Sequence, residues 1–169
     1  MLIGRRAEAI AWGLAALYAL VLAYPTHLRV VGAYWTETDF YIFWAPDADR
    51  IARGEFPQHP NNPPAYSALL SLLSRWSGDH FVSGKWLALA TGALTGVLAF
   101  YLFRRLFGPG PALLAQLILL LSGEFTRYSV QATTDVPFAC LLTAVMLVLT
   151  GARPTGWRYA VLCCCRPTC

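Results

Sequence analysis

The chain has 169 residues, 57% of them hydrophobic and 13% charged, with a mean hydropathy of +0.49 and a net charge of +4. Soluble domains run near 45–50% apolar and about 25% charged, so this composition argues against a soluble globular enzyme, and its aromatic content argues against a disordered chain. The basic residues are scattered and form no stripe, which leaves no nucleic-acid partner to expect and makes the lipid bilayer the first partner.

A spanning helix needs about 20 largely apolar residues. Four charge-free runs meet that length: residues 9–28, 86–103, 106–123 and 136–152. They predict an all-α, polytopic membrane protein with four transmembrane helices. Arg5 and Arg6 ahead of the first run resemble a signal peptide. The run is long for one, however, and no small-x-small cleavage site precedes Pro25, so a retained helix is expected. A fifth charge-free run, 56–74, opens on Phe56-Pro57-Gln58-His59-Pro60-Asn61-Asn62-Pro63-Pro64 and cannot be helical across lipid.

Short segments carrying Arg5, Arg6, Arg104, Arg105, Arg153, Arg158 and Arg166 fall on one side, which the positive-inside rule makes cytoplasmic. Eight of the nine acids fall on the other side, all except Glu8. The expected arrangement is a multi-pass protein of the cell membrane, with a cytoplasmic N-terminus and a long outer loop over residues 29–85.

Within that loop, residues 34–44 set six aromatics around Glu37 and Asp39. Tyr and Trp favour the headgroup level, so these acids are expected at the membrane–water boundary. Pro46, Asp47 and Asp49 at one end, with Arg50, Arg53 and Gly54 at the other, predict a short helix over 45–54 with its dipole complemented. A second short helix is predicted after Pro64, where Tyr66, Leu69, Leu70, Leu73 and Trp76 form an apolar stripe. Both are expected to lie in the interface and to frame a cleft above the bilayer. Asp39 after the first spanning helix and Asp135 before the fourth reach the same face, a placement suited to a substrate whose lipid tail stays in the membrane. In the second helix, Gly92-x-x-x-Gly96 is a small-residue packing face.

An ordered series runs through these elements: Thr38-Asp39-Phe40-Tyr41, then Ala48-x-x-Ile51-Ala52-x-Gly54-Glu55-Phe56-Pro57, then Asn62-Pro63-Pro64-x-Tyr66-x-x-Leu69-Leu70. Gly84-Lys85, Arg104-Arg105-Leu106-Phe107-Gly108, Tyr128-Ser129 and Thr133-Thr134-Asp135 follow. Over about residues 5–160 the chain resembles the N-terminal part of the GT-C membrane glycosyltransferases. That group includes the dolichyl-phosphate-mannose–protein mannosyltransferases and the bacterial lipid A aminoarabinose transferases. The resemblance implies transfer of a sugar from a polyprenyl-phosphate donor to an acceptor on the outer face. It maps the general-base acid onto Asp39 and a second acid onto Asp135.

The chemistry agrees with that assignment. An inverting transfer needs a carboxylate to take the acceptor hydroxyl proton. Partial desolvation near the bilayer is expected to favour such a base. The leaving phosphate develops charge that a cation stabilises, for which Lys85, Arg127 and Arg53 are the outer-face candidates. His59 is a further candidate contact to acceptor or phosphate, and Tyr66 to the substrate. Each has a plainer alternative: Asp39 as a solvated loop acid, Asp135 as a helix N-cap, His59 as a residue of a flexible turn, and Tyr66 as a membrane anchor. No cluster has metal-ligand spacing, so a divalent metal is left open without support from the sequence and the cofactor is unknown.

Four of the five cysteines fall at 163–169, with spacing that fits neither zinc nor a disulfide framework. Palmitoylation of these juxtamembrane residues is one expectation. The start of a fifth helix at 156–162 followed by this tail predicts a truncated or frameshifted product, inactive alone. The alternative function is a non-catalytic multi-pass assembly or transport subunit, although no spanning run carries the ionisable residue a transporter is expected to hold.

Overall fold

The computed structural model describes residues 2–30, 39–59 and 64–152. The aromatic and acidic residues 34–38, the Asn62-Pro63 step, Arg153, Arg158 and Arg166, and the 156–169 segment with its four cysteines lie outside the described residues. The regular structure of the described residues is helical. Its elements are α1 (Leu2–Leu28), a π-helical turn (Phe40–Trp44), α2 (Ala45–Ala52), α3 (Pro64–Ser77), α4 (His80–Phe107), α5 (Pro109–Leu121), α6 (Gly123–Ser129) and α7 (Asp135–Ala152).

Among the described residues two helices are long and apolar enough to cross a membrane, over Arg5–Leu28 and His80–Phe107. At 1.5 Å per residue α7 reaches about 27 Å and α5 only about 20 Å, against a hydrocarbon core of about 30 Å. The run expected to span 106–123 is divided instead. Gly108 turns the chain at φ +90° ahead of Pro109, and Ser122 is extended at ψ 122°, ending α5 before α6 begins. The second long helix starts at His80, upstream of the boundary at 86 that the charge of Lys85 suggests. Asp79 supplies the cap, accepting from the backbone N–H groups of Phe81 (2.6 Å) and Val82 (3.0 Å). Lys85 continues inside the helix because its ammonium is buried and hydrogen-bonded.

α4 is the central element, contacting α1, α3, α5, α6 and α7. It comes close where it lacks side chains. A Cβ on Gly92 would stand 2.6 Å from Ser129 Oγ, and one on Gly96 would stand 2.9 Å from Leu120 Cδ2. Lipid supplies no hydrophobic drive between helices, so close approach and dispersion must hold them together. At one end of the bundle Ala7, Ala11, Phe100 and Ala112 interlock, and Arg104 pairs with Glu8. Gln116, fully buried, donates to the Ala11 carbonyl at 2.8 Å and ties α5 to α1. The opposite end carries α2, α3 and both candidate acids.

α3 buries Tyr66, Ser67, Leu70 and Ser71. Ser67 Oγ donates to the Trp44 carbonyl at 3.1 Å. Leu69, Leu72 and Trp76 face outward, Trp76 at 84% exposure. The predicted stripe is therefore split between an inner edge at Tyr66 and Leu70 and an outward edge suited to the lipid interface.

Candidate functional site

Asp39 and Asp135 are both exposed, and each is flanked by residues anchored on α4. Phe40 is 1% exposed and packs edge-to-face on Phe81, with ring centroids 6.0 Å apart. Its ring and the Ala132 methyl both stand 3.0 Å from where a Cβ of Gly84 would lie. Val136, next to Asp135, lies 3.5 Å from the corresponding point on Gly92. Gly84 to Gly92 is about 12 Å of helix rise. The absence of two side chains thus lets the segments bearing the two acids settle on one stretch of α4.

Asp39 precedes the π-helical turn and its carboxylate caps no backbone nitrogen. Asp135 opens α7, where the N–H groups of the first turn favour a negative charge. Since both carboxylates are exposed, the desolvation expected for a base is not supplied by the protein's own packing.

A cavity of about 470 Å³, lined by Phe40 and Tyr41, the next residues after Asp39, opens between the π-helical turn, α2, α3 and the start of α4. Phe40, Tyr41 and Phe81 give it aromatic walls, and Asp49, Arg75 and His80 give it polar ones. Asp49 and His80 are joined across 31 residues of sequence by a 2.8 Å contact between Oδ1 and Nε2.

The cationic candidates are dispersed. Lys85 is buried, and its ammonium donates to the carbonyls of His27 (3.2 Å) and Arg29 (3.0 Å) while lying 5.6 Å from the Phe81 ring centroid. It closes the C-terminal end of α1, where carbonyls have no helical partner. Arg53 caps α2 and donates from Nε to Glu55 at 3.0 Å. That hydrogen bond, more than the charge itself, holds the Glu55 carboxyl below its ordinary value and raises the guanidinium. Arg127 is exposed on α6, 3.8 Å from Glu124 and stacked 6.0 Å from the Tyr128 ring centroid. His59 and Tyr66 sit in the cap: His59 Nδ1 lies 3.2 Å from Asp47 Oδ2, and the Tyr66 ring meets Trp44 edge-to-face at 5.4 Å. Among the described residues no group of three or more His, Cys, Asp or Glu side chains converges to hold a metal.

Asp47 is the acid that sequence reasoning passed over as a first-turn residue. It is 1% exposed and accepts from the Gln58 N–H at 2.9 Å as well as contacting His59. No periodic signal joins positions 47 and 58–59, because the chain folds back on itself between them. The Asp49–His80 pair is equally invisible in linear spacing.

The whole describes a helical membrane protein with a polar cap and two exposed acids gathered at one end of α4. Residues 61–165, more than half of the chain, match the family model described as dolichyl-phosphate-mannose-protein mannosyltransferase, and the chain belongs to that family. It is thus a membrane glycosyltransferase of the GT-C type, or part of one. No curated protein and no solved structure matches it.

Proposed function

We propose that this chain forms the acid-bearing part of a glycosyltransferase that moves a sugar from a polyprenyl-phosphate donor to an acceptor at the outer membrane face. The supporting observation is Asp39, exposed and uncommitted to any cap, directly before the buried Phe40, which lines an aromatic and polar cavity. Asp39 takes the acceptor hydroxyl proton as that oxygen attacks the anomeric carbon. The bond from that carbon to the donor phosphate oxygen breaks, and polyprenyl phosphate leaves with the electron pair. Asp135 is the second carboxylate of the same end and orients acceptor or sugar hydroxyls.

Arg127 and Arg53 are the exposed cations available to the leaving phosphate. Lys85 acts differently: by holding the His27 and Arg29 carbonyls it orders the end of α1 beside the site. His59 and Tyr66 shape the cap wall. In this reading the N-terminus is cytoplasmic, four segments cross the membrane and α2 and α3 lie in the outer interface.

The test is Asp39→Asn in the active membrane enzyme, with transfer from a polyprenyl-phosphate sugar as the readout. Loss of about 10²–10⁴-fold in rate with an unchanged melting temperature is expected of a missing general base. Unchanged transfer overturns the assignment.

A further inference from the structure

The cavity between the π-helical turn, α2, α3 and the start of α4 holds polar groups that the packing of the cap does not use. Its volume, about 470 Å³, falls within the roughly 300–1,000 Å³ of small-molecule sites. One wall is aromatic. The Tyr41 and Phe81 rings that line it lie within 27° of parallel, with centroids 6.1 Å apart.

The polar lining comes from Arg75, Asp49 and His80. Arg75 is exposed in the last turn of α3, and among the described residues its guanidinium has neither an ion pair nor a hydrogen bond. Asp49 spends Oδ1 on His80 Nε2 at 2.8 Å, while its Oδ2 has no hydrogen-bond partner among the described residues. A carboxylate only accepts, so His80 is the donor of that contact and holds the Asp49 side chain in place. A fork of donors and a fixed acceptor therefore line one cavity, each with capacity to spare. The charge balance narrows the ligand. Two carboxylates, Asp49 and Asp79, share the lining with one guanidinium, which leaves no surplus of positive charge for a phosphate or a uronate.

We infer that this cavity binds a neutral hexopyranose residue of a saccharide acceptor, with its C–H face on Tyr41 and Phe81 and its hydroxyls between Arg75 and Asp49. A pyranose ring has an apolar C–H face, which suits the electron-rich face of an aromatic ring. Its rim of hydroxyls both donates and accepts, so neighbouring hydroxyls satisfy a guanidinium and a carboxylate together. Phe40 and Tyr41 directly follow Asp39 in the chain, so a saccharide seated here lies against the segment that carries the proposed base. Its role as acceptor rests on the transfer proposed above; its binding does not.

The full chain in detergent is titrated with the methyl glycosides of mannose, glucose and galactose, and contact is read by saturation-transfer difference NMR. At least one glycoside is expected to take up saturation, most strongly at the ring C–H protons of one face. Arg75→Met should raise its dissociation constant about tenfold or more, as expected for the loss of a hydrogen bond from a charged group. Ala52→Phe, which places a bulky side chain at an exposed position of the lining, should abolish contact, with melting temperatures confirming that both variants fold. No contact with any of the three glycosides, contact unmoved by both variants, or displacement by inorganic phosphate at equal concentration overturns the inference. Asp39→Asn keeps the two failures apart. Glycoside binding that persists in this variant while transfer is lost supports the cavity and the base together. Binding with transfer unchanged overturns the base and leaves the cavity standing, whereas transfer lost with no glycoside bound by the wild type overturns the cavity alone.

Discussion

Along the bundle, α4 meets its neighbours through missing side chains. In the cap formed by α2, α3 and the turn between them, side chains instead satisfy backbone and each other. Gly84, Gly92 and Gly96 admit Phe40, Ser129 and Leu120 to close contact. In the cap, Asp47 accepts from Gln58 N–H, Ser67 donates to the Trp44 carbonyl, and Asp49 meets His80. The difference follows the surroundings. Lipid offers helices no hydrophobic reason to associate, so shape must do it, whereas at the boundary unsatisfied polar groups are the larger cost. Asp39 and Asp135 lie where the two regimes meet, and they stay exposed because the residues beside them do the packing.

The largest effect should come from spoiling the shape. Gly92→Leu puts a Cβ against Ser129, whose hydroxyl is already committed to the Phe125 carbonyl at 2.8 Å and cannot easily withdraw. Overpacking costs about 1–3 kcal/mol and more when backbone must move. Thermal unfolding in detergent should drop by several degrees. Gly110→Leu, where a Cβ meets nothing within 4 Å, should leave it in place. Equal behaviour of the two variants would show that close approach at α4 does not hold the bundle.

Lys85→Met comes next, because Lys85 joins the two regimes. The variant keeps a long apolar side chain on α4 but leaves the His27 and Arg29 carbonyls without their donor. Losing a hydrogen bond from a charged group costs about 1.5–3 kcal/mol. Amide exchange should quicken over the last turn of α1 while the interlocked end near Ala11 and Phe100 stays protected. Uniform loss of protection would mean that α1 and α4 open as one unit.

Asp47→Ala tests the cap alone. It strips the partner from a Gln58 N–H and from His59, at about 1–3 kcal/mol of local stability. Exchange should rise at Gln58 and His59, with the bundle's melting temperature unmoved. A falling melting temperature would show that cap and bundle are coupled more tightly than their chemistry suggests.

The two regimes were unequally legible in the sequence. Helices follow from runs of apolar residues, and Gly92-x-x-x-Gly96 announces the packing face of α4 directly. The limits of the runs mislead where a charge is internal: Lys85 looks like a helix end until its ammonium finds two carbonyls of α1. The break at Ser122 has no composition signal, since Leu121 and Gly123 are both apolar-compatible. Cap contacts are illegible for a different reason. Asp47 with Gln58, and Asp49 with His80, join residues 11 and 31 positions apart, and only the path of the chain decides such pairings. Asp135 stood out because it borders a long apolar run, and Asp39 because aromatics surround it and the resemblance points to it; these mark position at the boundary and say nothing of partners.

The smallest effect belongs to a pair that looks strong in geometry. Arg53 donates to Glu55 at 3.0 Å and holds that carboxyl below its ordinary value. A carboxyl lowered in the folded state contributes stability above the unfolded carboxylate value. That contribution is lost as pH falls through the folded value. Both side chains are exposed, so water and salt screen the interaction. Glu55→Gln should therefore leave the melting temperature unchanged at neutral pH in physiological salt. A small deficit should emerge only at low salt, and it should vanish on acidification, when the wild-type carboxyl is protonated too. Asp47→Asn, made at a buried carboxylate, should show its deficit at every salt concentration. A Glu55→Gln deficit that resists salt would place that pair with the buried contacts and erase the distinction between the cap's surface and its interior.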